Sequence, residues 1–343
     1  MATESGTVDL MPAGALDAWL KQQLPGLSGE PVLTALAGGA SNLTWRVSYP
    51  ERTLIVRRPP PGQKAKGAHD MQREYSLLKA LEGHYPLAPK AYAWSGDLSV
   101  IGAEFLVMQC IEGRILRRDL PKDLSLSPEA AGALCEAMVA AWAGLHDAPA
   151  AALAGFDRGE GYVARQIGGW SKRFTAARTP DVDDFADVIT WLTANAPADA
   201  GSVLIHNDFR LDNLVLDPAD PTRIIGVLDW EMATLGDPWM DLGAGLAYWI
   251  EAGDPPEAHA LRLQPSQLPG MWTRQQIVER YAELRGLAVP DFRYYLCYGW
   301  FRLAGIAQQI YYRHYHGQFR SERFAGFGQA VNMLAGRCRS LIG

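Results

Sequence analysis

Cysteine is scarce in this chain, and a long apolar run is absent. The four cysteines stand far apart, with no C-x-x-C pair. Their spacing argues against a disulfide framework or a structural zinc site, and it fits a reducing cytoplasm. No apolar segment approaches the roughly 20 residues of a membrane helix. Glu4 and Asp9 precede any basic residue, which argues against a signal peptide. We therefore expect a cytoplasmic protein with no membrane partner.

An excess of one charge is also lacking. The 343 residues include 32 basic and 38 acidic side chains, a formal net charge of −6. This balance gives no indication of bulk nucleic-acid binding. The charges are uneven, however, because the chain from Arg262 onwards has 11 arginines, no lysine and four acidic residues. This basic third hints at an anionic ligand, although solvated helix faces would explain it equally well.

What the sequence does contain is a polar motif around two apolar runs. Residues 214–216 and 224–228 are apolar and flank a Pro-containing turn, which predicts a β-hairpin. Asn213 precedes the first run and Asp229 follows the second, so the hairpin brings them together. An amide oxygen and a carboxylate at one end of a hairpin suit Mg²⁺, which shares oxygen ligands with phosphates. Asp208 is then placed as a base or orienting group beside the metal.

Asp and Asn also favour turns, which could explain any one of these residues. Turn preference is a poor explanation of the whole pattern, which is His-x-Asp-x-Arg-x-x-Asn followed by a strand and a second Asp. The pattern resembles the catalytic loop and metal-binding strand of the kinase-like phosphotransferases, which include aminoglycoside phosphotransferases and choline kinases. Protein kinases use the same order of parts. The resemblance implies that Arg210 stabilises charge on the γ-phosphate, that His206 orders the loop and that Asp241 braces it. Asp-Trp-Glu replaces Asp-Phe-Gly at residues 229–231, which argues against a protein substrate.

The N-terminal part of the chain reads as strands at residues 32–36, 43–49 and 53–57, followed by a helix at 68–81. The resemblance implies that the Gly-rich turn after the first strand covers ATP phosphates with backbone N–H groups. The candidate residues in that turn are Gly38, Gly39, Ser41 and Asn42.

The resemblance also implies an ion pair between Arg57 at the end of the third strand and Glu74 on the helix. Protein kinases have a Lys at the position of Arg57, and the two side chains differ because Arg is a planar fork. Arg58 is the alternative, although strand alternation turns it to the opposite face.

Strands at residues 91–94 and 104–111 complete a five-stranded antiparallel lobe in this interpretation. The chain then becomes mostly helical. By resemblance, the backbone of Gln109 to Ile111 is the hinge that holds adenine. The predicted fold is α+β and two-lobed, like a protein kinase, with a nucleotide-binding lobe at 1–111 and a catalytic, substrate-binding lobe at 112–343.

Three segments narrow the resemblance: Thr-Leu-Gly-Asp-Pro at 234–238, Asp-Trp-Glu at 229–231, and Arg-Gln-x-x-x-Trp at 165–170. They are similar to the kinase domain that is fused to some acyl-CoA dehydrogenases, a branch implicated in phosphorylating 4-hydroxyacyl-CoA thioesters. The resemblance therefore implies an ATP- and Mg²⁺-dependent small-molecule kinase. Its acceptor would be a hydroxyl group, with an anionic CoA thioester as the leading candidate.

Other functions stay open at this point. An aminoglycoside or other antibiotic phosphotransferase would share every nucleotide-site residue, but it usually offers an acidic pocket to its cationic drug. A non-catalytic pseudokinase is disfavoured because Asp208, Asn213 and Asp229 are intact. A Rossmann dehydrogenase has little support because the third glycine is missing after Gly243 and Gly245. No motif sets the oligomeric state, and we keep a homodimer as a prediction.

Overall fold

The structure is a computed structural model that describes residues 11–36, 42–60, 70–318 and 322–343. The chain divides into two compact units, residues 1–112 and 113–343. The sequence places this boundary after residue 111. That the first unit binds nucleotide and the second carries out catalysis stays a prediction.

The first unit contains a five-stranded antiparallel sheet with the order β1-β2-β3-β5-β4. Its elements are α1 (Ala13–Gln23), β1 (Val32–Leu36), β2 (Leu43–Ser48), β3 (Thr53–Arg58), α2 (Met71–Leu81), β4 (Ala91–Ser95), α3 (Leu98–Ile101) and β5 (Phe105–Gln109). Alternate residues of β2 and β3 are buried with α1 in one apolar core. The predicted antiparallel sheet is confirmed, whereas α3 was not predicted and β5 ends before residue 111.

The second unit is mainly helical, as predicted. Its helices are α4 (Pro128–His146), α5 (Tyr162–Ala176), α6 (Ala186–Ala194), α7 (Pro238–Leu246), α8 (Pro256–Ala260), α9 (Arg274–Arg285), α10 (Arg293–Tyr315) and α11 (Phe327–Ile342). Two small antiparallel sheets pair β6 (Val203–Ile205) with β9 (Thr234–Gly236), and β7 (Leu214–Leu216) with β8 (Ile224–Val227). The β7–β8 hairpin is the predicted one. None of the helices within the described residues is both long and apolar enough to cross a bilayer.

Close packing of α7 against α10 supports the candidate catalytic loop, residues 206–213. Gly243 and Gly299 face each other, and a Cβ atom on either would collide with backbone atoms of the other helix. The side chain of Asp237 accepts a hydrogen bond from Met240 N at 2.9 Å and so caps the start of α7, as the Asp-Pro sequence predicts. The cap fixes the beginning of the helix that carries Asp241.

Candidate active site

The β7–β8 hairpin brings Asn213 and Asp229 to neighbouring positions. Leu214 pairs with Val227, and the backbone N–H of Leu228 donates to the carbonyl oxygen of Asn213 at 2.8 Å. This register puts an amide and a carboxylate at the same end of the hairpin. The arrangement offers the two oxygen ligands that the sequence pattern suggests for Mg²⁺.

Asp208 is held directly by Asn213. The Nδ2 group of Asn213 donates to the backbone oxygen of Asp208 at 2.8 Å and to its Oδ2 atom at 2.9 Å. Since the nitrogen of this amide serves Asp208, the amide oxygen is the atom that remains for a cation. Asn213 can therefore link the candidate base to a metal.

Asp229 has a left-handed backbone, with φ at 67°. Such a conformation costs about 1–3 kcal/mol in a residue with a side chain and is retained where the surroundings fix it. Here, Nε2 of the buried His206 lies 3.0 Å from the carbonyl oxygen of Leu228, and Trp230 Nε1 donates to Val227 O at 2.8 Å. The backbone just before Asp229 is therefore held by two side chains, one of them from the residue that follows it.

Arg210 contacts carboxylates within its own loop. Its Nε atom lies 3.0 Å from Asp208 Oδ1, and its Nη2 atom lies 3.1 Å from Asp212 Oδ2. The guanidinium also stacks over the ring of Tyr248 at 4.4 Å. In this conformation Arg210 orients Asp208, and its predicted contact with a γ-phosphate would require it to share or leave these partners.

Asp241 organises the backbone of the catalytic loop. Its Oδ1 accepts from Asn207 N at 2.6 Å, and its Oδ2 accepts from His206 N at 3.2 Å and Trp142 Nε1 at 2.8 Å. His146 Nε2 lies 3.0 Å from the same Oδ2. Burial alone would raise the pKa of Asp241, but these contacts, led by His146, outweigh burial and lower it. The carboxylate therefore stays ionised and holds two successive backbone amides.

In the first unit, Arg57 and Glu74 form a buried ion pair. Arg57 Nη1 donates to Glu74 Oε1 at 2.7 Å, and the Glu74 side chain is 1% exposed. Arg58 turns to the other face of β3, where it donates to Ile101 O at 3.1 Å and lies over the Trp45 ring. The structure thus pairs Glu74 with Arg57, the arginine that strand alternation selects. The role of this pair in nucleotide binding stays a prediction.

The other predicted nucleotide contacts are described in part. Gly38, Gly39 and Ser41 lie outside the described residues, and the neighbouring Asn42 is buried. The backbone N–H of Gln109 donates to the carbonyl oxygen of Lys90, just before β4, at 2.8 Å. The contact of residues 109–111 with adenine stays a prediction.

Comparison with known proteins identifies the family. The model of the "Phosphotransferase enzyme family" matches residues 32–277. The chain belongs to this family. As a member of this family, it is a transferase of the kinase type.

Curated relatives include acyl-CoA dehydrogenase family member 11 of Homo sapiens, which is 34% identical over 97% of this chain and 44% of its own length. Acyl-CoA dehydrogenase family member 10 of Mus musculus is 31% identical over 95% of this chain and 30% of its own. The phosphotransferase thus spans less than half the length of these relatives.

Solved structures confirm the kinase-like fold. A Ralstonia eutropha protein described as a proposed aminoglycoside phosphotransferase gives a TM-score of 0.82 at 29% identity, covering 97% of this chain and 98% of the other. Choline kinase from Cryptosporidium parvum gives 0.61 at 13% identity, covering 96% and 95%. At that identity the choline kinase shows a shared fold alone.

Asn213 and Asp229 suit a magnesium ion that is shared with phosphates, rather than a metal ion whose ligands all come from the protein. Within the part of the phosphotransferase that the structure describes, no group of three or more His, Cys, Asp or Glu side chains could hold a metal ion. Mg²⁺ commonly takes only one or two carboxylates and completes its shell with water and phosphates. Asp229 with the Asn213 amide oxygen meets this lesser requirement.

The basic C-terminal third is largely neutralised within the second unit. Seven of its arginines form ion pairs with carboxylates: Arg262, Arg274, Arg280, Arg285, Arg293, Arg337 and Arg339. Arg302 is buried and forms no such pair among the described residues. The positive excess in the sequence is therefore weak support for an anionic ligand.

A cavity of about 740 Å³ lies at the N-terminal end of α5, lined by Glu160, Asp199 and Leu235 among others. The Asp199 carboxylate accepts from the backbone N–H groups of Gly161, Tyr162 and Val163 at 2.7–2.9 Å, so it caps α5. None of the sequence-predicted site residues lines this cavity, and the Asp199 carboxylate in its wall is used in capping α5.

Sequence reasoning did not connect residues on distant helices with the candidate base. Tyr162 on α5 and Arg302 on α10 both contact Asn207, the residue before the candidate base. Asp212 was also missed, and its pKa is raised by burial. Asn207 has a left-handed backbone, with φ at 65°. The sequence signal for this conformation was an Asn between His206 and Asp208, since Asn tolerates the left-handed region better than most residues.

Proposed function

We propose that this phosphotransferase moves the γ-phosphoryl group of Mg-ATP to the hydroxyl group of a small molecule. The observation that carries the proposal is the hairpin register that places Asn213 beside Asp229 while Asn213 also holds Asp208. The P–O bond to ADP breaks, a new bond forms to the acceptor oxygen, and Asp208 accepts or orients the hydroxyl proton. General-base help of this kind contributes about 10²–10⁴-fold.

The remaining predicted residues serve the nucleotide in this proposal. Bound Mg²⁺, held by Asn213 and Asp229, would neutralise charge on the β- and γ-phosphates. Arg57, held in its ion pair with Glu74, would bind phosphate groups of the nucleotide. The turn containing Gly38, Gly39, Ser41 and Asn42 would add backbone contacts, and the backbone of Gln109 to Ile111 would hold adenine.

We further propose that the acceptor is a hydroxyacyl-CoA thioester. The support is that this chain matches a segment of acyl-CoA dehydrogenase family members over nearly its full length. A kinase joined to an acyl-CoA dehydrogenase is well placed to share an acyl thioester with it. A cytoplasmic location and a homodimer stay predictions.

The test is ADP release with Mg-ATP and a panel of acceptors: 4-hydroxyacyl-CoA, 3-hydroxyacyl-CoA, the free hydroxy acids and an aminoglycoside. We expect release only with a CoA thioester. Release with the aminoglycoside alone would contradict the thioester proposal and retain the kinase. If Mg-ATP binds but no acceptor in a widened panel supports release, the pseudokinase is the better account. Full turnover by Asp229→Ala would contradict the assigned metal ligand.

A further inference from the structure

The residue before the candidate base has an unusual backbone. Asn207 lies in the left-handed region at φ 65°, where a side chain is tolerated mainly in Asn and Asp. Its carbonyl group belongs to the peptide unit that leads into Asp208. The orientation of this single peptide therefore determines where the Asp208 side chain starts.

Four groups from different elements hold Asn207. Its N–H donates to Asp241, its Nδ2 donates to Met232 O at 3.0 Å, and its Oδ1 accepts from Tyr162 OH at 3.1 Å. Its carbonyl oxygen accepts from Arg302 Nη2 at 2.9 Å. Of these contacts, the one from Arg302 is made to the Asn207–Asp208 peptide itself.

Arg302 is a costly residue to keep at this place. It is 3% exposed, and among the described residues it has no ion pair with a carboxylate. The Trp170 ring lies 5.4 Å from its guanidinium. Burial disfavours the charged form, but the surrounding groups, Asp208 among them, outweigh burial and raise the pKa of Arg302. The hydrogen bond to the Asn207 carbonyl oxygen is the polar contact that uses this buried cation.

We propose that Arg302 is a positioning residue for phosphoryl transfer: it fixes the Asn207–Asp208 peptide and thereby the Asp208 carboxylate. This inference rests on the proposed function, since it concerns the same base. Arg302 acts through Asp208 and leaves nucleotide binding to other residues. Its loss should therefore change kcat and leave KM for Mg-ATP as it is.

The experiment compares Arg302→Met, Arg302→Lys and the control Arg173→Met. Arg173 stacks on Trp170 at 3.9 Å, like Arg302, but it does not contact Asn207. With the acceptor that gives the fastest ADP release, we expect Arg302→Met to lower kcat about 100-fold, because small displacements of a reacting group cost about this much. Arg302→Lys retains a donor and should recover part of the loss, and Arg173→Met should behave like the wild type.

A second comparison separates positioning from general damage. Adding Arg302→Met to Asp208→Asn should cause no further loss of kcat, since both changes remove the same contribution. Three results would overturn the proposal. The first is a double variant whose loss of kcat is the product of the two single losses. The others are a wild-type kcat in Arg302→Met and a loss of Mg-ATP binding in both Arg302 variants.

A crystal structure of Arg302→Met, or of Arg302→Lys if the first variant does not fold, gives a readout that needs no acceptor. We expect the Asn207–Asp208 peptide to rotate or lose order in Arg302→Met, and to stay closer to its present orientation in Arg302→Lys. An unchanged peptide in Arg302→Met would overturn the proposal. The proposal would also be overturned by an Arg302→Lys structure in which the ammonium group does not contact the Asn207 carbonyl oxygen and the peptide keeps its orientation. Absence of ADP release from the wild type would count against the proposed function alone.

Discussion

Two buried carboxylates, one in each unit, are stabilised in different ways. Glu74 in the first unit faces a cation, the Arg57 guanidinium at 2.7 Å. Asp241 in the second unit accepts hydrogen bonds from two backbone amides and the Trp142 indole, with His146 beside it. A carboxylate that pairs with a cation holds that cation in place, and the positive charge can then bind a phosphate. A carboxylate surrounded by N–H groups fixes the path of the backbone. This difference fits the proposal that the first unit presents a cation to the nucleotide and that the second positions Asp208.

The substitution Asp241→Asn should have the largest effect on the carboxylate of the second unit. An amide cannot accept all the hydrogen bonds that the carboxylate accepts, so buried donors lose their partner. We expect a loss of about 3 kcal/mol in the free energy of unfolding, since each unsatisfied buried group costs about 1–3 kcal/mol. Chemical denaturation measures the loss. An unfolding free energy like that of the wild type would show that Asp241 does not organise the loop.

Arg57→Met should affect nucleotide binding more than folding. The substitution keeps much of the side-chain volume and removes the cation beside Glu74. We expect Mg-ATP affinity to fall about 10-fold, equivalent to about 1.4 kcal/mol. Isothermal titration with Mg-ATP checks this, and Arg58→Met on the opposite face of β3 is the matched control. An equal loss in both variants would contradict the assignment of Arg57.

The pH dependence of stability sharpens the comparison further. The pKa of Asp241 is lowered on folding, so its contribution to stability is fully present above the unfolded pKa of about 3.9. The contribution is lost as the pH falls through the lower folded pKa. The difference in unfolding free energy between the wild type and Asp241→Asn should therefore be constant near neutral pH and shrink in acid. A constant difference down to the lowest pH at which both fold would contradict the lowered pKa.

The smallest effect is expected at a surface ion pair. Arg293 and Asp291 are both well exposed, and exposed pairs contribute little. Arg293→Gln should leave the unfolding midpoint and the rate of ADP release unchanged. A clear loss of activity in this variant would revive the basic C-terminal third as a ligand-binding surface.

Local patterns predicted the regular elements well. The strands of the first unit were predicted to within two residues at each end, and alternation turned Arg57 and Arg58 to opposite faces of β3. The β6–β9 pair was missed because three-residue strands are too short to show a period. The hinge at residues 109–111 stays a prediction, and the sequence does not reveal that the N–H of Gln109 donates to Lys90 O.

The candidate site was predictable where its residues are neighbours along the chain. Asp208, Asn213 and Asp229 follow from one hairpin and its flanks. Arg302 and Tyr162 reach Asn207 from helices far along the sequence, and only packing of α5, α7 and α10 brings them there. The partners that neutralise the basic third were hidden for the same reason.

The most direct test of the account is the Asp208→Asn variant, measured with the best acceptor of the panel. The account predicts that ADP release falls by about 10²–10⁴-fold, the usual contribution of a general base. Mg-ATP affinity should stay close to that of the wild type, because Asn213 and Asp229 are retained. Turnover at the wild-type rate would contradict the assignment of Asp208 as the group that accepts or orients the acceptor's proton.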